Sequence, residues 1–303
     1  MFSGIGGFEL GIADRGECIG YSEIDKYSIQ TYEKNFEKEV KNYGDATKII
    51  PEKLPDFDLL VGGFPCQAFS TAGKRRGFED TRGTLFFEIA RIIKRKQPRM
   101  FLLENVKGFL NHDNGETFTT ILKTIDELGY DAEWQVLNSK HFGVPQNRER
   151  VFIIGHLRGS GGRQIFPIRK SKSKTIQIEI KDTFQKTIYN VEGISPTVRE
   201  GHGDVIRIMR GRPRYKNGKR ILKWYEYKDI CPTVTTTVAS GDQKNIILPQ
   251  IRKLTPIECE RLQGFPDNWT DGVPDTHRYK QLGNAVTVNV IKKIIALMEH
   301  DLK

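Results

Sequence analysis

The sequence is poor in cysteine: four in 303 residues, at positions 18, 66, 231 and 259. No Cys-x-x-Cys or His-x-x-x-His pair is present, so the usual zinc spacings and a disulfide framework are both missing. No metal is expected, and sparse unpaired thiols fit a reducing, cytoplasmic compartment. Long apolar runs are also absent; none approaches the ~20 residues that cross a bilayer as a helix. The start, Met1-Phe2-Ser3-Gly4, lacks the basic flank and apolar stretch of a secretion signal. The Gly-x-Gly-x-x-Gly spacing of dinucleotide sites is not met either, since Glu9 stands where the third glycine would fall.

Positive charge is plentiful but confined. The net charge is +10, and between His156 and Ile251 there are 19 Lys and Arg against 8 Asp and Glu, so this one segment carries the whole excess. Either it is a solvated basic face or it meets a polyanion, most often nucleic acid. Aromatics interleaved with the basic residues (Tyr215, Trp224, Tyr225, Tyr227) and the dense run through Arg210, Arg212 and Arg214 favour the second.

The remainder reads as alternating strands and helices, which predicts an α/β fold with a doubly wound, mostly parallel sheet. Residues 1–155 plus 282–303 are expected to form one domain, with the last helix returning to it. Residues 156–281 are expected to form a smaller, irregular, strand-rich basic domain. Helical spacing links Phe118, Ile121, Leu122, Ile125 and Leu128, and again Val290, Ile291, Ile294 and Met298. Thr255-Pro256 reads as a helix start.

Several stretches could carry chemistry. Leu59-Leu60-Val61 runs into Gly62-Gly63-Phe64-Pro65-Cys66, a buried strand entering a turn. Ligands of open α/β sheets bind at the carboxyl ends of strands. Cys66 is therefore either a nucleophile or a buried structural thiol. Ser3-Gly4-Ile5-Gly6-Gly7 is a glycine loop that lets a ligand approach the backbone, and Glu23 lies about 20 residues on, where an acid can bond ribose hydroxyls. Asp45 could accept from a base amino group or simply cap a helix. Phe101–Val106 reads as a strand ending in Glu104, and residues 71–84 as a glycine-spaced basic loop able to lie over a phosphate backbone.

A thiolate, a carboxylate and a nucleoside cofactor beside a basic domain suit one reaction. Addition of the thiolate to carbon 6 of cytosine makes carbon 5 an enamine carbon, while a carboxyl group at ring nitrogen 3 stabilises the developing charge. Stacking blocks that approach, so a base in a duplex would have to be flipped out.

Phe2–Phe8, Gly62–Ser70, Glu104-Asn105-Val106, Gln146-x-Arg148-x-Arg150, Arg252–Asp267 and Gln281-Leu-Gly-Asn284-Ala-Val resemble, in order, the motifs of the bacterial DNA cytosine-5 methyltransferases. The resemblance spans nearly the whole chain outside the basic segment. It implies a class I, Rossmann-like methyltransferase domain, with Cys66 as nucleophile and Glu104 holding the cytosine. Arg148 and Arg150 would support the base and its carboxylate partner. It implies S-adenosylmethionine as cofactor, surrounded by Phe2, Ser3, Gly4, Gly6, Gly7, Glu23, Ile24, Asp45, Ala46, Pro65, Leu85 and Asn284. The basic segment would be the target-recognition domain. Contacts to DNA are expected from Gln67, Ser70, Lys74, Arg75, Arg76, Arg82, Arg210, Arg212 and Arg214. Double-stranded DNA would be the partner, with a cognate restriction endonuclease acting on the same site, no membrane, and a monomer as the working form. A tRNA cytosine-5 methyltransferase and an inactive nucleic-acid-binding relative are the alternatives. In one respect the chain departs from the pattern. Only Met1 and Phe2 precede the loop where the family has several apolar strand residues, so the true start is expected upstream.

Overall fold

The computed structural model describes residues 1–36, 40–65, 85–169, 178–180, 187–189, 195–196, 212–216, 219–223 and 254–302. Its centre is a four-stranded sheet built from β1 (Leu59–Gly63), β2 (Met100–Val106) and β3 (Tyr130–Asn138), with a two-residue β4 (Gln146–Asn147) leading into β5 (Glu149–Leu157). The order across the sheet is β1-β2-β5-β3. β1 and β2 are parallel, and β5 is antiparallel to both β2 and β3. Three strands thus point one way and β5 alone is reversed, so the sheet is mixed, as a mostly parallel sheet with one inserted antiparallel strand.

Both faces of the sheet are covered, which is why β2 opens on a continuous apolar run, Met100–Leu103, rather than an alternating one. Phe101 and Leu103 face the helices α3 (Leu85–Lys96) and α4 (Glu116–Glu127), against Ile89, Ile93, Ile121 and Ile125. Met100 and Leu102 face the opposite way. There the cover comes from α1 (Gly7–Ile12) and the last helix, α7 (Val288–Leu302), through Phe8, Val290, Ile291, Ile294 and Met298. The four α7 residues expected to share a face are all buried. α2 (Lys26–Asn35) is started by Asp25, whose side chain accepts the Ser28 N–H at 2.9 Å.

Residues 254–281 were expected with the basic segment. They pack instead on the glycine loop. α5 (Pro256–Gln263) opens with a capping box between Thr255 and Glu258, and Gly264 closes it in the left-handed conformation (φ 79°). α6 (Asp275–Asn284) follows. Cys259, Leu262, Phe265, Trp269, Tyr279 and Leu282 enclose Ile5, and Trp269 Nε1 donates to the Ile5 carbonyl at 2.9 Å. Among the described residues, the apolar faces of these helices are covered from the loop side. At the other boundary, Ile165, Phe166 and Ile168 join the α7 side of the core. Glu133 pins that crossing, accepting from the N–H groups of Ile165 and Phe166 (2.9 and 2.7 Å) and bonding His156 Nε2 at 2.7 Å.

Of the basic segment, the strand Arg212–Lys216 pairs antiparallel with Lys219–Lys223, and Ser195–Pro196 pairs parallel with β4.

Candidate active site

The carboxyl ends of β1 and β2 are locked together one turn before Cys66. Gly63 is in register with Glu104. Asn105, buried beside it, donates through Nδ2 to the Phe64 carbonyl at 3.0 Å, while its Oδ1 accepts the Val106 N–H at 2.8 Å. Both ends of the carboxamide are used, so the exit of β1 cannot shift relative to β2. Pro65 emerges exposed at this edge. Cys66 itself lies outside the described residues, as do Gln67, Ser70, Lys74, Arg75, Arg76, Arg82 and Arg210. Arg212 and Arg214 lie on a described strand.

Glu104 is the one carboxylate on β2, and only 9% of it is exposed. Arg150, on β5, reaches it diagonally across the sheet, with Nε 3.0 Å from Oε1. Arg150 is itself steadied by a bond from Nη1 to the Glu149 carbonyl at 2.8 Å. The other oxygen of Glu104 hangs over Gly63, where an added Cβ would stand 3.1 Å from it. A mostly buried carboxylate needs such a partner, because desolvation of a lone charge costs far more than a surface pair returns.

Arg148 does not join this pair. Its guanidinium is turned to the end of α6, where Nη2 donates to the carbonyls of Gly283 (3.0 Å) and Ala285 (2.8 Å). It is 1% exposed. Its effect is to fix the turn that carries Asn284, which is exposed.

The glycine loop forms the second part. Phe2, Gly4 and Gly6 all have positive φ (53°, 55° and 82°). Only glycine adopts such angles without strain, and at Gly6 a Cβ would also strike the Phe36 ring. Gly4 donates its N–H to Glu23 Oε2 at 2.8 Å. Glu23 Oε1 accepts from the N–H groups of Ile24 and Asp25, both at 2.8 Å. The carboxylate is thus aimed by three backbone donors and keeps a lone pair on Oε2. Asn42 ties the next loop to it: its Oδ1 accepts from Glu23 N and Gly44 N, and its Nδ2 donates to the Glu23 carbonyl. Asp45 caps the short helix Ala46–Lys48, accepting from Thr47 N at 3.0 Å. Bonds from the Thr47 side chain and backbone hold its carboxyl below the usual range. Ser3 and Ala46 are buried beneath this surface.

These residues suit a nucleoside. On the side of Gly4 where a Cβ would project there is open space. Beside Glu23, Ile24 is 72% exposed, an apolar side chain bare at the rim of the loop. A spare carboxylate lone pair, a bare apolar side chain and an open glycine backbone fit a ribose, an aromatic base and a short charged tail.

One positioning residue, Asn42, belongs to no motif. Its carboxamide lies between two loops that must both be held, and a single sequence does not tell such an asparagine from a turn residue. Thr287 is similar, bonding Ser139 Oγ and donating to Gln263 Oε1, both at 2.8 Å.

Residues 1–300 match the family model for C-5 cytosine-specific DNA methylases. The type II methyltransferase M1.ScrFI of Lactococcus lactis subsp. cremoris is 42% identical over 308 residues, covering 98% of this chain and 76% of that protein. The type II methyltransferase M.HpaII of Haemophilus parainfluenzae is 40% identical over 321 residues, covering 96% and 86%. In fold, the chain is similar to the crystal structure of the S. pombe Dnmt2 methyltransferase, with a TM-score of 0.66 at 18% identity over 99% of this chain and 96% of that one.

Proposed function

The chain belongs to the C-5 cytosine-specific DNA methylases, and we propose how its own residues carry out the transfer. The reaction places a methyl group from S-adenosylmethionine on carbon 5 of cytosine in DNA.

S-adenosylmethionine, when bound, supplies an electrophilic methyl group. Phe2, Ser3, Gly4, Gly6 and Gly7 would form its cradle, Glu23 would take the ribose hydroxyls on its remaining lone pair, and Ile24 would lie beside the base. Asp45, Ala46, Pro65, Leu85 and Asn284 would complete the site.

Cys66 adds as the thiolate to carbon 6 of the flipped cytosine. Glu104 brings a proton to ring nitrogen 3 as the thiolate adds, so that charge developing on the ring is neutralised by a fixed group rather than by water. Carbon 5, now an enamine carbon, becomes nucleophilic and would take the methyl group as its bond to the donor sulfur breaks, the donor leaving as a thioether; loss of the carbon-5 proton to a base and departure of the Cys66 thiolate from carbon 6 then restore the ring. Arg150 keeps Glu104 oriented through these steps. Arg148 acts one layer back, by holding the Asn284 turn. The observation that carries this reading is the Glu104–Arg150 pair at the carboxyl end of β2, level with Gly63 and three residues short of Cys66.

The partner is double-stranded DNA. Gln67 and Ser70, the basic loop with Lys74, Arg75, Arg76 and Arg82, and the basic segment with Arg210, Arg212 and Arg214 grip phosphates and read the target. The type II methyltransferase names of its relatives support a companion endonuclease of the same target site; in our reading the protein works as a cytoplasmic monomer. Among the described residues, no helix is long and apolar enough to cross a membrane.

The test is transfer of labelled methyl groups to unmethylated duplex DNA, followed by bisulfite sequencing, with Cys66→Ala alongside. Carbon-5 methylcytosine at one recurring motif, lost in the variant while DNA binding persists, is the expected result. Turnover that survives Cys66→Ala removes the thiol from the mechanism.

A further inference from the structure

The loop that carries Asp45 is held at two ends. On the side of Glu23, Asn42 Oδ1 accepts the Gly44 N–H at 2.8 Å, and Ser22 Oγ donates to the Gly44 carbonyl at 2.7 Å. On the far side the short helix Ala46–Lys48 runs out, and a helix of one turn cannot satisfy its own last carbonyls. Arg91, on α3, takes two carbonyls there. Its Nη1 donates to the Ile49 carbonyl at 2.6 Å and its Nη2 to the Ala46 carbonyl at 3.3 Å. We propose that Arg91 is a positioning residue for recognition of the cofactor's base: by fixing the helix behind Asp45 it sets the preference of the site for a purine that bears an exocyclic amino group. The proposal rests on the cofactor reading of this site, with Asp45 as the acceptor for that amino group.

The guanidinium is itself set in place. Glu88, one turn earlier on α3, accepts from Nε at 3.0 Å and from Nη2 at 2.7 Å through the same oxygen. All three nitrogens of Arg91 are therefore engaged, and the planar fork has one orientation. A lysine ammonium offers no such fixed fork.

Asp45 moves with the helix that Arg91 holds. Its Oδ1 accepts from both Thr47 N (3.0 Å) and Thr47 Oγ1 (2.8 Å), which binds the carboxylate to the first turn. Its Oδ2 stands 3.6 Å from the exposed Lys48 ammonium. That is too far for a strong hydrogen bond, so Oδ2 keeps its lone pairs for a ligand. Gly44, just ahead, has a φ of 67° and is the natural pivot. Without Arg91 the helix is held from the Gly44 side alone, and Oδ2 swings with it.

Two further cations of α3 reach the same stretch of chain, Arg95 to Glu52 at 3.0 Å and Lys96 to Asp56. Those acceptors are exposed, where an ion pair contributes little. Ala46 and Ile49 are buried, and a buried acceptor left unpaired is costly. α3 also opens with Leu85, expected at the cofactor site. One helix thus serves the cofactor twice, at its start and, within two turns, through Arg91.

The test is calorimetric titration of S-adenosylhomocysteine and of its analogue lacking the exocyclic amino group. The ratio of the two dissociation constants is the readout, because loss of folded protein does not change it. In the parent the amino group is expected to tighten binding by about tenfold or more. Arg91→Ala is expected to bring that ratio to about threefold or less, with Arg91→Lys keeping more of it. Arg91→Gln, which keeps a single donor, is read in the same way should the alanine variant not fold. Added to Asp45→Ala, Arg91→Ala should change the ratio no further, since it acts through that carboxylate. Arg95→Ala should leave the ratio at the parent's value. A parent-like ratio in Arg91→Ala, beside an Asp45→Ala that has lost it, overturns the proposal and leaves the reading of Asp45 standing. A parent-like ratio in Asp45→Ala takes Asp45 off the base, and the proposal falls with that reading. An equal loss in Arg95→Ala overturns it too, since any tie between α3 and this stretch would then serve.

Discussion

Arg150 and Glu104 meet across a strand pair, Nε to Oε1 at 3.0 Å, with less than a fifth of either side chain exposed. The pair is too buried to be a surface ornament and too close to the carboxyl edge of β1 to be mere packing. Removing the guanidinium leaves a carboxylate largely desolvated, at a cost of about 3 kcal/mol. Arg150→Ala is expected to lower both the thermal midpoint and kcat, while Arg150→Lys, which keeps the charge but loses the planar donor set, recovers stability more than rate. Denaturant melts and single-turnover methylation separate the two.

Gly63→Ala tests the same carboxylate without touching charge. The new Cβ would stand 3.1 Å from Glu104 Oε2, so the side chain must give by a few tenths of an ångström. The fold should survive with a midpoint close to that of the parent, and kcat should fall with little change in cofactor affinity. Circular dichroism with isothermal calorimetry reads both; a loss confined to cofactor affinity would place Gly63 with the loop instead.

At the glycine loop, Glu23 accepts three backbone N–H bonds. Bonds to a charged acceptor contribute roughly 1.5–3 kcal/mol each, and their loss frees Gly4 and Ile24 together. Glu23→Ala is expected to weaken S-adenosylmethionine binding by at least about tenfold, and Glu23→Gln, which keeps one acceptor, by less. Calorimetric titration of the cofactor distinguishes them.

A pH effect is expected at the crossing from β5 into the basic segment. Burial opposes ionisation of Glu133, but bonds from His156 and from the N–H groups of Phe166 and Ile165 outweigh it and hold the carboxyl below its usual value of 4.5. A depressed carboxyl contributes stability that is full above its unfolded value and is lost as pH falls through the folded one. The gap in thermal midpoint between the parent and Glu133→Gln should therefore be widest near neutrality and close in acid. A gap independent of pH would mean that the charge of Glu133 does not matter there.

Much of this was legible in the residues. The apolar periods of α4 and α7 placed their buried faces, and Glu104 and Glu23 stood out as acids at strand ends. What the chain could not disclose was direction and partnership. Nothing in Val151-Phe152-Ile153-Ile154 says that β5 runs against its neighbours, since a strand buried on both faces reads the same either way. The charge excess ends at Ile251, ahead of helices α5 and α6, but a drop in charge does not say what those helices pack on, so their contact with Ile5 was invisible until the apolar faces met. Arg148 and Arg150 differ by two places and look interchangeable. Arg148 falls at the break between β4 and β5, so the strand's period does not hold it on the side of Arg150: Arg150 goes to Glu104, and Arg148 to the Gly283 and Ala285 carbonyls.

The bond from Trp269 to the Ile5 carbonyl joins residues 264 apart in the chain. Contacts of such separation are late events, because the intervening chain must be made and ordered before they can form. During synthesis the first ten residues leave the ribosome long before the aromatic cluster that encloses them exists. The cofactor cradle is therefore finished last, and a nascent or prematurely ended chain has the glycine loop in its sequence but not its shape. Methylation competence thus arrives only with the final helices, as a property of the completed polypeptide.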